Sequence, residues 1–97
     1  MPRTKALDVA EIEARLSAIE GWTFDNGKLH KELEFADFAS AFGFMTQIAI
    51  WAEKMDHHPE WSNVYNRVEV DLRTHDAGGV TELDFELAAK MNRIADG

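Results

Sequence analysis

A chain of 97 residues with no cysteine and a formal net charge of −8 is long enough for one core and too short for two, so residues 1–97 read as a single domain. It can carry no disulfide framework, no thiolate metal site and no thiol nucleophile. Its ten Lys and Arg residues are scattered, which disfavours direct binding of nucleic acid, because a phosphate backbone calls for a basic patch.

The start, "MPRTKALDVAEIEARL", lacks the apolar run of a signal peptide, and the cytoplasm is the expected compartment. The most apolar stretch, "FASAFGFMTQIAIWA", is too short and too interrupted to span a membrane. The first helix opens at Asp8 as N-cap, with Glu11 at capping-box spacing and Leu7 and Ile12 as a hydrophobic staple. Ile12, Leu16 and Ile19 form its inward stripe, and Gly21 is its expected stop.

A hairpin follows. Asn26-Gly27 is the strongest short-range turn signal. Beyond it Leu29, Lys31 and Leu33 alternate with His30, Glu32 and Glu34, as in a strand with one wet face.

The middle helix runs from near Asp37 to about Met55. Phe38, Phe42, Met45, Ala49 and Ala52 make one stripe; Phe44, Ile48, Trp51 and Met55 make another. A helix apolar on two faces is expected to have two partners, its own sheet and a neighbouring subunit; the alternative is a helix buried wholly within one chain. A second hairpin, "EWSNVYNRVEVDLRT", turns near Tyr65-Asn66, with Val68, Val70 and Leu72 facing inward. The last helix repeats the first device, with Thr81 as cap, Asp84 at the third position, and Val80 and Phe85 as staple; Leu87, Met91 and Ile94 continue inward. Helix, hairpin, helix, hairpin, helix predicts an α+β domain, a four-stranded antiparallel sheet with three helices on one face.

Candidate chemistry gathers at "EKMDHHPEW" and "RTHDAGG". His57 and His58 close the middle helix and His75 follows the last strand, so the two ends flank one hairpin and can meet at one edge of the sheet. His30, in a strand, reads as a surface residue. Metal binding is disfavoured, because no histidine pair has the i, i+4 spacing that ligands on one helical face prefer. Acid–base work is favoured, because imidazole titrates near neutral pH. Glu53 and Asp56 stand where they can orient the rings, and Trp61 can offer a flat ligand a stacking wall.

The run from Ala41 to Gly79 resembles the pterin-4a-carbinolamine dehydratase family. It carries an acidic residue (Glu53) ahead of Asp56-His57-His58-Pro59-Glu60-Trp61, then Asn63-Val64-Tyr65-Asn66 and Thr74-His75. "GW" at Gly21 and "VTELDFELA" from Val80 also fit, so the resemblance covers nearly the whole chain.

The resemblance implies loss of water from 4a-hydroxytetrahydropterin to give the quinonoid dihydropterin, recycling the pterin of aromatic amino acid hydroxylases. It implies no metal and no cofactor other than the pterin substrate itself. The catalytic positions it implies are His57, His58 and His75. The substrate-binding positions are Glu53, Asp56, His57, His58, Pro59, Trp61, Arg73, Thr74, His75 and Asp76. It also implies a homodimer or homotetramer built through the helix around residues 38–55.

Animal members of the family also bind a homeobox transcription factor through that helix, and some relatives have been placed with molybdenum-cofactor pterins. Those roles are alternatives to recycling. The chain departs from the animal proteins in carrying Arg73 for a small polar residue, Ala77 for a cysteine and Trp51 for a polar residue.

Overall fold

The computed structural model describes residues 4–97. Its first helix, α1, spans Val9–Arg15. The capping box is complete: the Glu11 amide donates to Asp8 Oδ1 at 2.8 Å, and the Asp8 amide donates to Glu11 Oε1 at 3.1 Å. Two of the helix's orphan amides are thereby satisfied. The α-helix ends earlier than the apolar stripe suggests. It tightens into a 3₁₀ turn over Leu16–Ala18, and Gly21 follows at φ +86°. Ile19 is still buried.

Strands β1 (Thr23–Asp25) and β2 (Lys28–Glu34) meet across a two-residue turn with Asn26 at φ 53° and Gly27 at φ 76°. Positive φ at both positions matches the twist of the flanking strands, which is why Asn-Gly is favoured there. Lys31 falls on the inward face of β2, yet its ammonium escapes burial by donating to Asn92 Oδ1 at 2.8 Å and to the Glu20 carbonyl at 3.2 Å.

Helix α2 spans Phe38–Met55, capped by Asp37, whose carboxylate accepts from the Ser40 amide at 2.7 Å. The face that it buries is Ala41, Phe44, Ile48 and Ala52: two residues of the second predicted stripe, one of the first, and Ala41 of neither. Phe38, Phe42 and Ile50 stay 49%, 54% and 60% exposed. This chain alone therefore covers one face of α2 and leaves an apolar face uncovered. Trp51 lies on its margin, with Lys90 Nζ 3.8 Å from the ring centroid.

Strands β3 (Glu60–Val64) and β4 (Arg67–Leu72) form the second hairpin, turning at Tyr65-Asn66 as the sequence predicts. All strand pairs are antiparallel, in the order β1-β2-β4-β3. Helix α3 spans Glu82–Asp96 behind a second full capping box, Thr81 with Asp84.

Leu29, Leu33, Val68, Val70 and Leu72 pack from the sheet against Ile12 of α1, Phe44 and Ile48 of α2, and Leu87 and Met91 of α3. The other face of the sheet is polar. One cross-strand row on it runs His30, Asp71, Glu60, set by the pairings His30↔Asp71 and Glu60↔Asp71. Among the described residues no helix is long and apolar enough to cross a membrane.

Candidate active site

The end of α2 explains how adjacent histidines acquire different surroundings. Asp56 takes the left-handed conformation at φ 52°, which stops the helix. The His57 amide still donates to the Ala52 carbonyl at 3.0 Å, closing the last turn. The chain then leaves toward β3. His57 is only 5% exposed, whereas the His58 side chain is 59% exposed. Neighbours on an extended segment point to opposite sides, so one imidazole enters the core margin and the other stays in solvent.

His57 Nε2 lies 2.6 Å from Asp84 Oδ1, and both side chains are buried. The second oxygen of Asp84 accepts from the Thr74 hydroxyl at 2.9 Å and from the Thr81 amide at 2.8 Å. Thr74 spends its one hydroxyl proton on Asp84, so Thr81 is the donor in the 2.7 Å contact between the two hydroxyls. A buried carboxylate is tolerated only when its lone pairs are filled, and here both oxygens are occupied. Asp84 thus ties the end of α2, the end of β4 and the start of α3 into one unit.

His58 Nε2 pairs with Glu53 Oε1 at 2.9 Å, an exposed contact one turn back along α2. His75 opens a 3₁₀ turn, His75–Ala77, closed by Gly78 at φ 74°. Its Nε2 lies 2.9 Å from Glu60 Oε2, and Glu60 Oε1 accepts from Lys28 Nζ at 2.6 Å. The Lys28 ammonium holds the Glu60 carboxyl below the ordinary carboxylate value, with a smaller push the same way from His75.

Each of the three histidines therefore gives Nε2 to a different carboxylate: Asp84, Glu53 or Glu60. An ionised carboxylate only accepts, so Nε2 carries the proton. Nδ1 is the nitrogen left to take a proton when the ring is neutral, or to give one when it is charged.

The other predicted positions sort as follows. Glu53 hydrogen-bonds His58, and Thr74 is buried as the link to Asp84. Asp56 is the left-handed cap, and Pro59 is half-buried between His58 and β3. Trp61 is half-buried against the core. Arg73 is half-buried, with Nε enclosed and without a hydrogen-bond partner among the described residues. Asp76 is exposed in the first turn after Thr74.

Sequence reasoning missed three residues. Asp84 was legible only as a capping residue, and Lys28 carried no signal. Glu60 had one available: a turn at Tyr65-Asn66 places it opposite Asp71, close to His75.

His30 is more than a surface residue. Its Nδ1 bonds Asp71 Oδ1 at 2.9 Å, and this hydrogen bond raises the imidazole pKa against the opposing effect of burial. His30, Glu69 and Asp71 offer ligand-type atoms within 4.8 Å of one another. The three site histidines do not form such a group among the described residues.

The chain is a small α+β domain in which each of three histidines pairs with its own carboxylate. Comparison gives it a family. Residues 5–94 match the family described as Pterin 4 alpha carbinolamine dehydratase, and the chain belongs to that family, whose name describes a hydro-lyase reaction.

A relative from Solibacter usitatus (strain Ellin6076), named "Putative pterin-4-alpha-carbinolamine dehydratase", is 57% identical over 94 residues, covering 97% of this chain and 99% of its own. One of the same name from Sinorhizobium medicae (strain WSM419) is 56% identical over 97 residues, covering 98% and 92%. The crystal structure of a transcriptional coactivator/pterin dehydratase from Brucella melitensis superposes with a TM-score of 0.90 at 50% identity, covering 94% of this chain and 99% of that one.

Proposed function

We propose that this chain removes water from a 4a-hydroxytetrahydropterin to give the quinonoid dihydropterin, with His57, His58 and His75 as its acid–base groups. The observation that carries this reading is the triple pairing of Nε2 with a carboxylate. In the reaction the C4a–O bond breaks as an imidazolium protonates the departing hydroxyl. The adjacent ring nitrogen supplies the electron pair for the new C=N bond, and its proton passes to a neutral imidazole. Water leaves and the proton count balances. A carboxylate behind each ring holds its tautomer and orientation through both steps.

Thr74, Arg73 and Asp76 lie beside His75 in sequence, and Asp56 and Pro59 flank the other pair. They are the proposed substrate-contacting backbone and side chains, with Trp61 as wall. The chemistry needs no cofactor beyond the pterin, and the product suits recycling for an aromatic amino acid hydroxylase.

The test is stopped-flow dehydration of freshly generated 4a-hydroxytetrahydropterin with EDTA present. Wild type is run beside His57→Ala, His58→Ala and His75→Ala. Acceleration that survives EDTA and falls by roughly 10²-fold in a histidine variant supports metal-free acid–base catalysis. No acceleration over the spontaneous reaction sinks the assignment.

We also propose that a second copy of the chain covers the outer face of α2. Phe38, Phe42 and Ile50 lie exposed along it, and large exposed apolar groups on one helix face mark an interface. The same face is open to another protein, the alternative suggested by the name transcriptional coactivator/pterin dehydratase that the Brucella protein carries.

A further inference from the structure

We propose that Glu60 is the positioning residue for His75 and that Lys28 in turn fixes Glu60, so that a three-residue relay from β2 through β3 to the 3₁₀ turn orients one of the site's imidazoles. The inference rests on the dehydratase reading above, and it adds two residues to that site.

The need for such a relay follows from exposure. The His75 side chain is 68% exposed and sits in a one-turn 3₁₀ segment between Thr74 and Gly78. A ring so placed has little packing to choose its rotamer, and disorder in a proton-transfer group lowers the fraction of time spent in reach of the reacting atom. His57 has no such problem, because burial and Asp84 hold it. For His75 the restraint is the 2.9 Å contact with Glu60 Oε2.

Glu60 is well placed to be rigid. It is the first residue of β3, immediately after Pro59, and it is held in register opposite Asp71. Asp71 does not compete for His75, because it is engaged by His30 at 2.9 Å. Lys28, at the start of β2, reaches past the intervening strand β4 to Glu60 Oε1 at 2.6 Å. One oxygen of Glu60 thus faces a cation and the other faces the imidazole. The cation keeps the carboxylate ionised as pH falls. It also fixes the plane of the carboxylate, and with it the direction from which Nε2 is held.

The relay also joins the two halves of the site. Glu60 lies in the segment that leaves α2, two positions beyond His58, while His75 follows β4. A substrate gripped by both segments meets His75 in an orientation set by the first.

The experiment is a double-mutant cycle with a structural readout. Glu60→Ala and Lys28→Met are made in the wild-type and His75→Ala backgrounds. Side-chain order of His75 is read by NMR from its χ1 couplings and ring relaxation. The expected result is a fall in kcat of between about 10- and 100-fold for Glu60→Ala, with KM within about twofold, and a smaller fall for Lys28→Met. In the His75→Ala background both changes become silent, because neither residue acts except through the ring. Glu60→Gln, which keeps an acceptor at the same reach, restores part of the loss.

Additive losses in the His75→Ala background overturn the proposal, as does a His75 ring that stays in one rotamer without Glu60. The NMR arm stands apart from catalysis. If wild type fails to accelerate dehydration the dehydratase reading fails, while the rotamer result still decides whether Glu60 holds His75.

Discussion

His57 and Asp84, 27 positions apart in the chain, meet at 2.6 Å with both side chains out of solvent. Asp84 serves two ends at once. It completes the capping box of α3, and it neutralises the polar groups of His57 and Thr74 in the core margin. Removal therefore leaves the buried donors of His57, Thr74 and the Thr81 amide unpaired, at roughly 1–3 kcal/mol each. Effects sharing one network do not add. Asp84→Ala is expected to lose about 3–5 kcal/mol in urea unfolding, the range for breaking a buried pair. A loss below about 1 kcal/mol shows that water refills the site and that the network is not a structural keystone.

Most of the fold was legible because its signals are local. Asn26-Gly27, the two capping boxes and the alternation of Val68, Val70 and Leu72 each report a short-range constraint, and each reappears in the structure. The end of α1 was less legible: nothing in the apolar period separates an α-turn from the 3₁₀ turn at Leu16–Ala18. On α2 two broad apolar stripes left the buried face ambiguous, and packing chose Ala41, Phe44, Ile48 and Ala52, drawing on both stripes and leaving Phe38 and Phe42 outside. At the site the histidines stood out by residue type. Their partners did not, because Asp84 and Glu60 are common acidic residues whose meaning comes from long-range pairing.

His30 makes a pH-dependent contribution on the open face of the sheet. Its pKa is raised above the ordinary imidazole value of 6.5, first by the hydrogen bond to Asp71, with burial opposing and the charges of Asp71, Glu69 and Glu32 assisting. A group whose folded pKa is raised stabilises the fold fully below its unfolded value and loses that contribution as pH rises through the folded one. Thermal unfolding of wild type and Asp71→Asn, compared from about pH 5.5 to about pH 9, should show the greatest advantage of wild type at the acid end. A difference that is flat with pH removes His30 as the titrating partner.

Gly27 sits at φ 76° in the first turn, and a Cβ there meets nothing within 4 Å. Any cost of Gly27→Ala is therefore conformational, not steric crowding by neighbours. The left-handed conformation costs an L-residue about 1–2 kcal/mol, and less for asparagine, whose side chain bonds locally. Gly27→Ala should lower stability by that amount and Gly27→Asn by clearly less, read as shifts of the urea midpoint at constant slope. Equal losses for the two variants point instead to contacts made by the turn beyond its own backbone.

The outer face of α2 offers the last test. Phe38 and Phe42 meet in a tilted pair, ring centroids 5.8 Å apart, yet remain 49% and 54% exposed. Burying a phenyl ring contributes about 1.5–3 kcal/mol, and a symmetric contact between two copies buries the same ring on both of them. A glutamate at the centre of such a contact places two like charges in an apolar layer, a cost that is relieved when the copies separate. Phe42→Glu should therefore convert an oligomer to monomer in sedimentation equilibrium at micromolar concentration, while the folded chain keeps its far-UV spectrum. His57 and Asp84 belong to a network within one chain, so their pairing should survive the change. Wild type that already sediments as a monomer refutes the second-copy reading and leaves this face to a different protein.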